Sequence, residues 1–111
     1  MLTIIYFEKV SEMIVEYQIF ETEVYTKWFA SLKDEKVKAR IDKRIERIKY
    51  GNFGDAKILG NGISELRLQF GSGYRIYYMQ HRQKIVILLC AGDKSTQEND
   101  IKKAKQLAGE V

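Results

Sequence analysis

Three observations predict an α+β fold, with helices packed on a small, mainly antiparallel sheet. Apolar and polar positions alternate every two residues near the start of the chain and again in three runs after residue 62. Between these lies a stretch with helical spacing, and a second helical stretch closes the sequence. The three later strands are joined by the short connections GSG and HRQ, as in a meander. The resulting order is β-α-α-β-β-β-α, with two helices before the meander and one after it.

Each element has a local reason. Met13 to Phe20 alternates Val15, Tyr17 and Ile19 with Glu16 and Gln18, the pattern of a strand with one buried face. Thr22 can cap the first helix, where Tyr25, Trp28, Phe29 and Leu32 recur at i, i+3, i+4 and i+7, so Trp28 is assigned to the core. Asp34 closes that helix or begins the next. From Glu35, the positions Val37, Ile41, Ile45 and Ile48 form one stripe, and Lys36, Arg40, Lys43 and Arg47 form another. The stretch GNFGDAKILGNG holds four of the eight glycines and reads as a looped connection, and it lacks the Gly-Lys-Ser/Thr ending of a phosphate-cradling loop. ISELRLQF, YRIYYMQ and KIVILLC follow as strands, the last apolar on both faces and so covered on both sides. Ser95 and Glu98 have capping-box spacing ahead of a helix carrying Ile101, Ala104, Leu107 and Ala108.

The 111 residues suit one domain with one core, burying about two-thirds of the unfolded surface. We assign the domain to residues 13–111. Residues 1–12 are an N-terminal extension, or else Leu2, Ile4 and Phe7 pack as an added strand or turn. The single Cys90 and single His81 exclude an internal disulfide and structural zinc, and no metal or cofactor is expected. Cys90 is assigned to the core strand and His81 to an exposed turn. No apolar run approaches the roughly 20 residues of a bilayer span, and the start lacks a signal-peptide pattern, so a cytoplasmic protein without membrane contact is expected.

The net charge of +4 favours a polyanionic partner. Its distribution is local: Glu35 to Tyr50 holds seven basic residues against three acidic ones, an excess equal to that of the whole chain. Taken alone, such a helix can also be a plain solvated face.

Strand parity places the arginines. In ISELRLQF, Leu66, Leu68 and Phe70 share the core face, and Ile63, Glu65, Arg67 and Gln69 take the other. If GSG is a three-residue hairpin loop, Phe70 pairs with Tyr74. Tyr74, Ile76 and Tyr78 then join the core, and Arg75, Tyr77 and Met79 join Arg67 and Gln69. Two guanidiniums are thereby expected to converge on the open sheet face opposite the helices. Like charges a few Å apart cost about 1 kcal/mol or more near a surface, and a bound phosphate would relieve this. The alternative is neutralisation of Arg75 by Glu65 or solvent, and of Arg67 by Glu16.

The run ending WFASLKD, the loop GNFGDAK, the strands SELRLQFGSGYRIYY and the closing IVILLCAGDKSTQENDIKKA together resemble the RelE/ParE toxin superfamily. Within it they resemble the Gp49-like or HigB-like addiction-module killer proteins, over about residues 13–108. The resemblance implies a type II toxin–antitoxin toxin, most often a ribosome-dependent mRNA endoribonuclease (mRNA interferase) that inhibits translation. A ParE-like gyrase poison and a catalytically inactive antitoxin-binding homologue are the alternatives. Arg75, in GSGYR, matches the arginine that contacts the scissile phosphate; Arg67 and Lys94, in AGDK, match basic site positions, as does Lys57 in GDAK. The chain departs from the superfamily in its last helix, where Asp100 stands near the usual tyrosine, and the customary general acid is missing.

These residues imply metal-independent cleavage. Arg75 and Arg67 hold the phosphate oxygens, Lys57 or Lys94 moves protons, and Glu65 is the candidate carboxylate. Tyr77 stacks on a base or lines the site, Gln69 shares its face, and Arg40, Lys43 and Arg47 contact RNA without sequence preference. The implied partners are mRNA, the ribosome and a cognate antitoxin, often a small helix-turn-helix protein, in an oligomeric complex.

Overall fold

Residues 16–111 are described by a computed structural model of the chain. Glu16 and Tyr17 lead into β1 (Gln18–Glu21), so the expected strand is shorter at its start and runs one residue past Phe20. Residues 13–15, and the question of the extension, lie outside the described residues. Thr22 then caps α1 (Glu23–Ser31): its hydroxyl accepts from the Tyr25 amide at 3.1 Å and donates to the Leu89 carbonyl at 2.5 Å, tying the helix start to the sheet. Asp34 belongs to the next helix, α2 (Glu35–Lys49), accepting from the amides of Lys36 and Val37 at 2.9 and 3.4 Å.

The stretch expected to be loop contains a strand. β2 (Ala56–Gly60) pairs antiparallel with β3 (Ile63–Leu68) through a two-residue turn at Asn61 and Gly62, both with positive φ, 54° and 77°. Asn-Gly is a strong hairpin signal. It is obscured here because β2 has almost no apolar alternation: Ile58 is 84% exposed and only Leu59 is partly covered. β4 (Tyr74–His81) and β5 (Ile85–Asp93) complete a sheet of order β1-β5-β4-β3-β2, antiparallel except for the β1–β5 pair. A 3₁₀ turn (Lys94–Thr96) leads into α3 (Gln97–Glu110). The capping box sits two residues earlier than expected, with Asp93 and Thr96 as its partners instead of Ser95 and Glu98.

The β3–β4 connection is longer than GSG, because Leu68 pairs with Tyr74 and residues 69–73 form the loop. The register therefore differs by two residues from the expected Phe70–Tyr74 pair. An even slip preserves parity, so every face assignment in β3 and β4 holds. Leu66, Leu68, Ile76 and Tyr78 meet Tyr25 of α1 and Ile41 and Ile48 of α2, with Val86 and Leu88 from β5. Full burial of each such aliphatic side chain contributes about 2 kcal/mol.

The opposite face is not open. Ala104 and Leu107 of α3 pack on Ile63, Tyr77, Leu89 and Cys90, forming a second core layer. A bulge in β5 at the Tyr77/Tyr78 step inserts Leu89 and reverses the strand's parity, turning Cys90 toward α3 and Ala91 toward α1 and α2. β5 is thus covered on both sides, as its apolar run predicted.

Candidate nucleic-acid interface

The rows of the sheet organise the functional side chains. Lys57, Glu65, Tyr77 and Cys90 are successive cross-strand neighbours, and Arg67, Arg75 and Gly92 form the adjacent row. Lys57, Glu65, Arg67, Arg75 and Tyr77 therefore share one face, as parity requires. That face carries α3 over its middle, which separates the residues into a covered group and an exposed one.

Arg75 is 6% exposed and Glu65 2%. The Arg75 Nη1 donates to the carbonyls of Gly73 and Tyr74 at 3.3 and 3.2 Å, and its Nε stands 3.9 Å from a Glu65 oxygen without a hydrogen-bond partner. Gln97, in the first turn of α3, donates its amide to both Glu65 oxygens at 3.1 and 3.4 Å. Tyr77 is fully enclosed; its hydroxyl has no partner, and burial holds the phenol in its neutral form. It offers no ring face to a base in this conformation. The expected convergence of the two guanidiniums is also absent. Arg75 turns inward beneath α3, while Arg67 turns outward, since Asp55 captures it at the sheet's end. Glu16 is paired with Lys49 instead. Lys94 is exposed at the start of the 3₁₀ turn, with its stem against Gly73, so close that a Cβ there would lie 3.1 Å from the Lys94 Cγ. Lys57 is exposed on the edge strand β2.

Of the exposed residues, Arg67 lines a groove of about 340 Å³ between α2 and the end of β3, with Arg40, Lys43, Arg44, Arg47, Asp55, Gln69 and Phe70 among others, whereas Lys57 and Lys94 stand outside that lining. Arg40, Lys43 and Arg47 come from the basic stripe of α2. None has a carboxylate within ion-pair distance among the described residues. The Arg40 guanidinium lies 3.9 Å over the Phe70 ring, which orients it and leaves its edge open to an anion. Opposite, the Arg67 Nε and Nη2 donate to one Asp55 oxygen at 3.1 and 2.8 Å, and Gln69 donates to the other at 3.2 Å. These hydrogen bonds hold the Asp55 carboxyl below the usual aspartate range.

Arg44 organises the groove, a role that reading the helix as one basic stripe did not separate out. Its Nη1 donates to the Arg67 carbonyl at 2.9 Å, and its Nη2 donates to those of Phe53 and Asp55 at 3.0 and 2.8 Å. Gly54, at φ 63°, passes so near that a Cβ would stand 3.0 Å from the Arg44 Nε and Nη2. Only glycine suits that backbone and that approach. The GNFGDAK loop is therefore clamped to α2 and β3. Among the described residues no cluster of His, Cys, Asp or Glu could hold a metal ion, and no helix is long and apolar enough to cross a membrane.

Residues 27–109 match the profile of the family described as Phage derived protein Gp49-like (DUF891). An uncharacterized protein of Haemophilus influenzae is 50% identical over 94 residues, covering 85% of this chain and 95% of that protein. Among solved structures, a mutant of the E. coli toxin RelE in the free state superposes with a TM-score of 0.66 at 20% identity, covering 83% of this chain and 98% of the other. A chain of the intact E. coli RelBE toxin-antitoxin complex gives 0.57 at 22% identity, covering 69% and 95%. The isolated RelE toxin gives 0.56 at 20% identity, covering 78% and 97%. The α+β architecture reached from the sequence is thus the RelE fold.

Proposed function

This chain belongs to the phage-derived Gp49-like family, and from that premise and its RelE fold we propose that it is the toxin of a toxin–antitoxin module and that its target is RNA. The observation that carries the proposal is the groove, where cations of α2 without carboxylate partners among the described residues line the same 340 Å³ space as Arg67 and Gln69. Arginine forks and lysines in this arrangement suit a phosphodiester backbone.

The chemistry proposed is metal-independent cleavage. The ribose 2′-oxygen bonds to the adjacent phosphorus as its proton passes to a base, and the P–O5′ bond breaks with proton delivery to the leaving oxygen. The products are a 2′,3′-cyclic phosphate and a 5′-hydroxyl. Arg67 and Arg75 would stabilise the growing charge, each well-placed donor contributing roughly 3–4 kcal/mol. Lys94 and Lys57, both exposed, are the proton carriers, and Glu65 is the carboxylate candidate. Arg75 and Glu65 lie under the first turn of α3, so cleavage requires that turn to lift, breaking the Gln97–Glu65 contact. Arg40, Lys43 and Arg47 hold the RNA or the ribosome, and an antitoxin, a small helix-turn-helix protein by expectation, neutralises the toxin in an oligomeric complex in the cytoplasm.

The burial of Arg75 and Glu65 favours a second reading, in which the domain cuts nothing and acts on gyrase or binds only its antitoxin. Mapping RNA ends after a pulse of expression tests both. New 5′-hydroxyl ends inside reading frames, reduced about 100-fold by Arg75→Ala and by Arg67→Ala, are expected. DNA-damage signalling without cuts, or neither response, would overturn the nuclease.

A further inference from the structure

The Asp55 carboxylate sits in a seat of hydrogen-bond donors. Three N–H groups from two side chains converge on its carboxylate, Arg67 on one oxygen and Gln69 on the other. Arg44 fixes both sides of this seat, since the carbonyls it binds belong to Arg67 and to Asp55 itself. Yet, among the described residues, Asp55 is the only acid in a groove with five cationic side chains. It satisfies Arg67 and leaves the field of Arg40, Lys43 and Arg47 uncompensated. Those three span eight residues of α2, about 10 Å along the helix axis, which calls for a line of negative charges. Both Asp55 and Arg67 keep more than a third of their side chains exposed, so an incoming anion can reach the pair and the displaced carboxylate can turn into solvent.

We propose that Asp55 is an internal stand-in for phosphate: single-stranded RNA lies along the groove, and one of its phosphodiester groups takes Arg67 and Gln69 from Asp55. The carboxylate thereby keeps the seat in shape while it is empty and lowers the affinity for weakly held anions. This inference rests on the groove being the RNA-binding surface. A phosphodiester is favoured over an acidic peptide because stacking on Phe70 holds the exposed Arg40 guanidinium flat, and a base can stack on a guanidinium plane beside the phosphate contacts.

The experiment measures binding of the purified full chain to a short fluorescein-labelled single-stranded RNA, by anisotropy across a salt series. Asp55→Asn removes the competing charge at constant shape and should bind about fivefold tighter. The carboxylate displaced in the parent recruits a cation from solution and the asparagine does not, so log K against log salt should be steeper in the variant by a fraction of the ~0.7 that a whole phosphate contact gives on a single strand. Lys43→Gln with Arg47→Gln should weaken binding and flatten that slope, and thermal melting confirms that each variant folds. If the double variant weakens binding but Asp55→Asn changes neither affinity nor slope, the groove binds RNA and the stand-in is refuted. If the double variant also binds as before, the groove reading itself fails. Full competition by a glutamate-rich peptide of matched charge would make the surface a protein-docking site and overturn the proposal.

Discussion

Replacing Arg44 with methionine keeps most of the aliphatic stem and removes the guanidinium that clamps the GNFGDAK loop. Three carbonyls lose a charged donor, those of Arg67, Phe53 and Asp55. The Asp55 carbonyl contact is exposed and regains water, so it adds little. The other two are partly buried, and each orphaned acceptor costs about 1–1.5 kcal/mol. The expected loss is about 2–3 kcal/mol, close to a 10 °C fall in Tm for a domain of this length. Arg44→Lys retains the charge but has one ammonium in place of a fork, and it should recover less than half of the loss. Chemical denaturation followed by the fluorescence of Trp28 measures this, with a Lys43→Met control on the exposed flank of the same helix. An Arg44→Met protein within about 0.5 kcal/mol of the parent would refute the clamp.

The enclosed Tyr77 hydroxyl, which has no partner among the described residues, makes Tyr77→Phe neutral or stabilising by up to about 1 kcal/mol in the same assay; a loss larger than that would mean the hydroxyl has an acceptor. Cys90 is 3% exposed, and burial, with Asp100 nearby, pushes its thiol up to about 12. Native protein should therefore resist a disulfide reagent near pH ~8 and react fully once unfolded. Rapid native labelling would show that the α3 layer opens readily.

Local pattern was sufficient wherever one face of an element is buried. The stripe Val37, Ile41, Ile45 and Ile48, the cap at Thr22 and the alternation of β3 and β4 each state a period and a direction, and tertiary packing then has only one way to satisfy them. β2 was illegible for the converse reason: an exposed edge strand is held by backbone pairing with β3, which leaves little trace in side-chain pattern. The two-residue error in the hairpin register did no damage, since faces repeat every second residue.

The candidate site was legible as a list of residues and not as an arrangement. Sequence parity put Arg67 and Arg75 on one face, because alternation is a property of the strand alone. It could not say that α3 would lie over that face, although the stripe Ile101, Ala104 and Leu107 had to be buried somewhere. Nor could it say that Asp55, twelve residues before Arg67, would draw that guanidinium outward while Arg75 folded in beneath the helix. Composition and periodicity determined every α-helix, every strand except β2, and the excess of positive charge on α2. The partner of each charge was decided only when distant segments met, because an ion pair depends on distances that no spacing along the chain encodes.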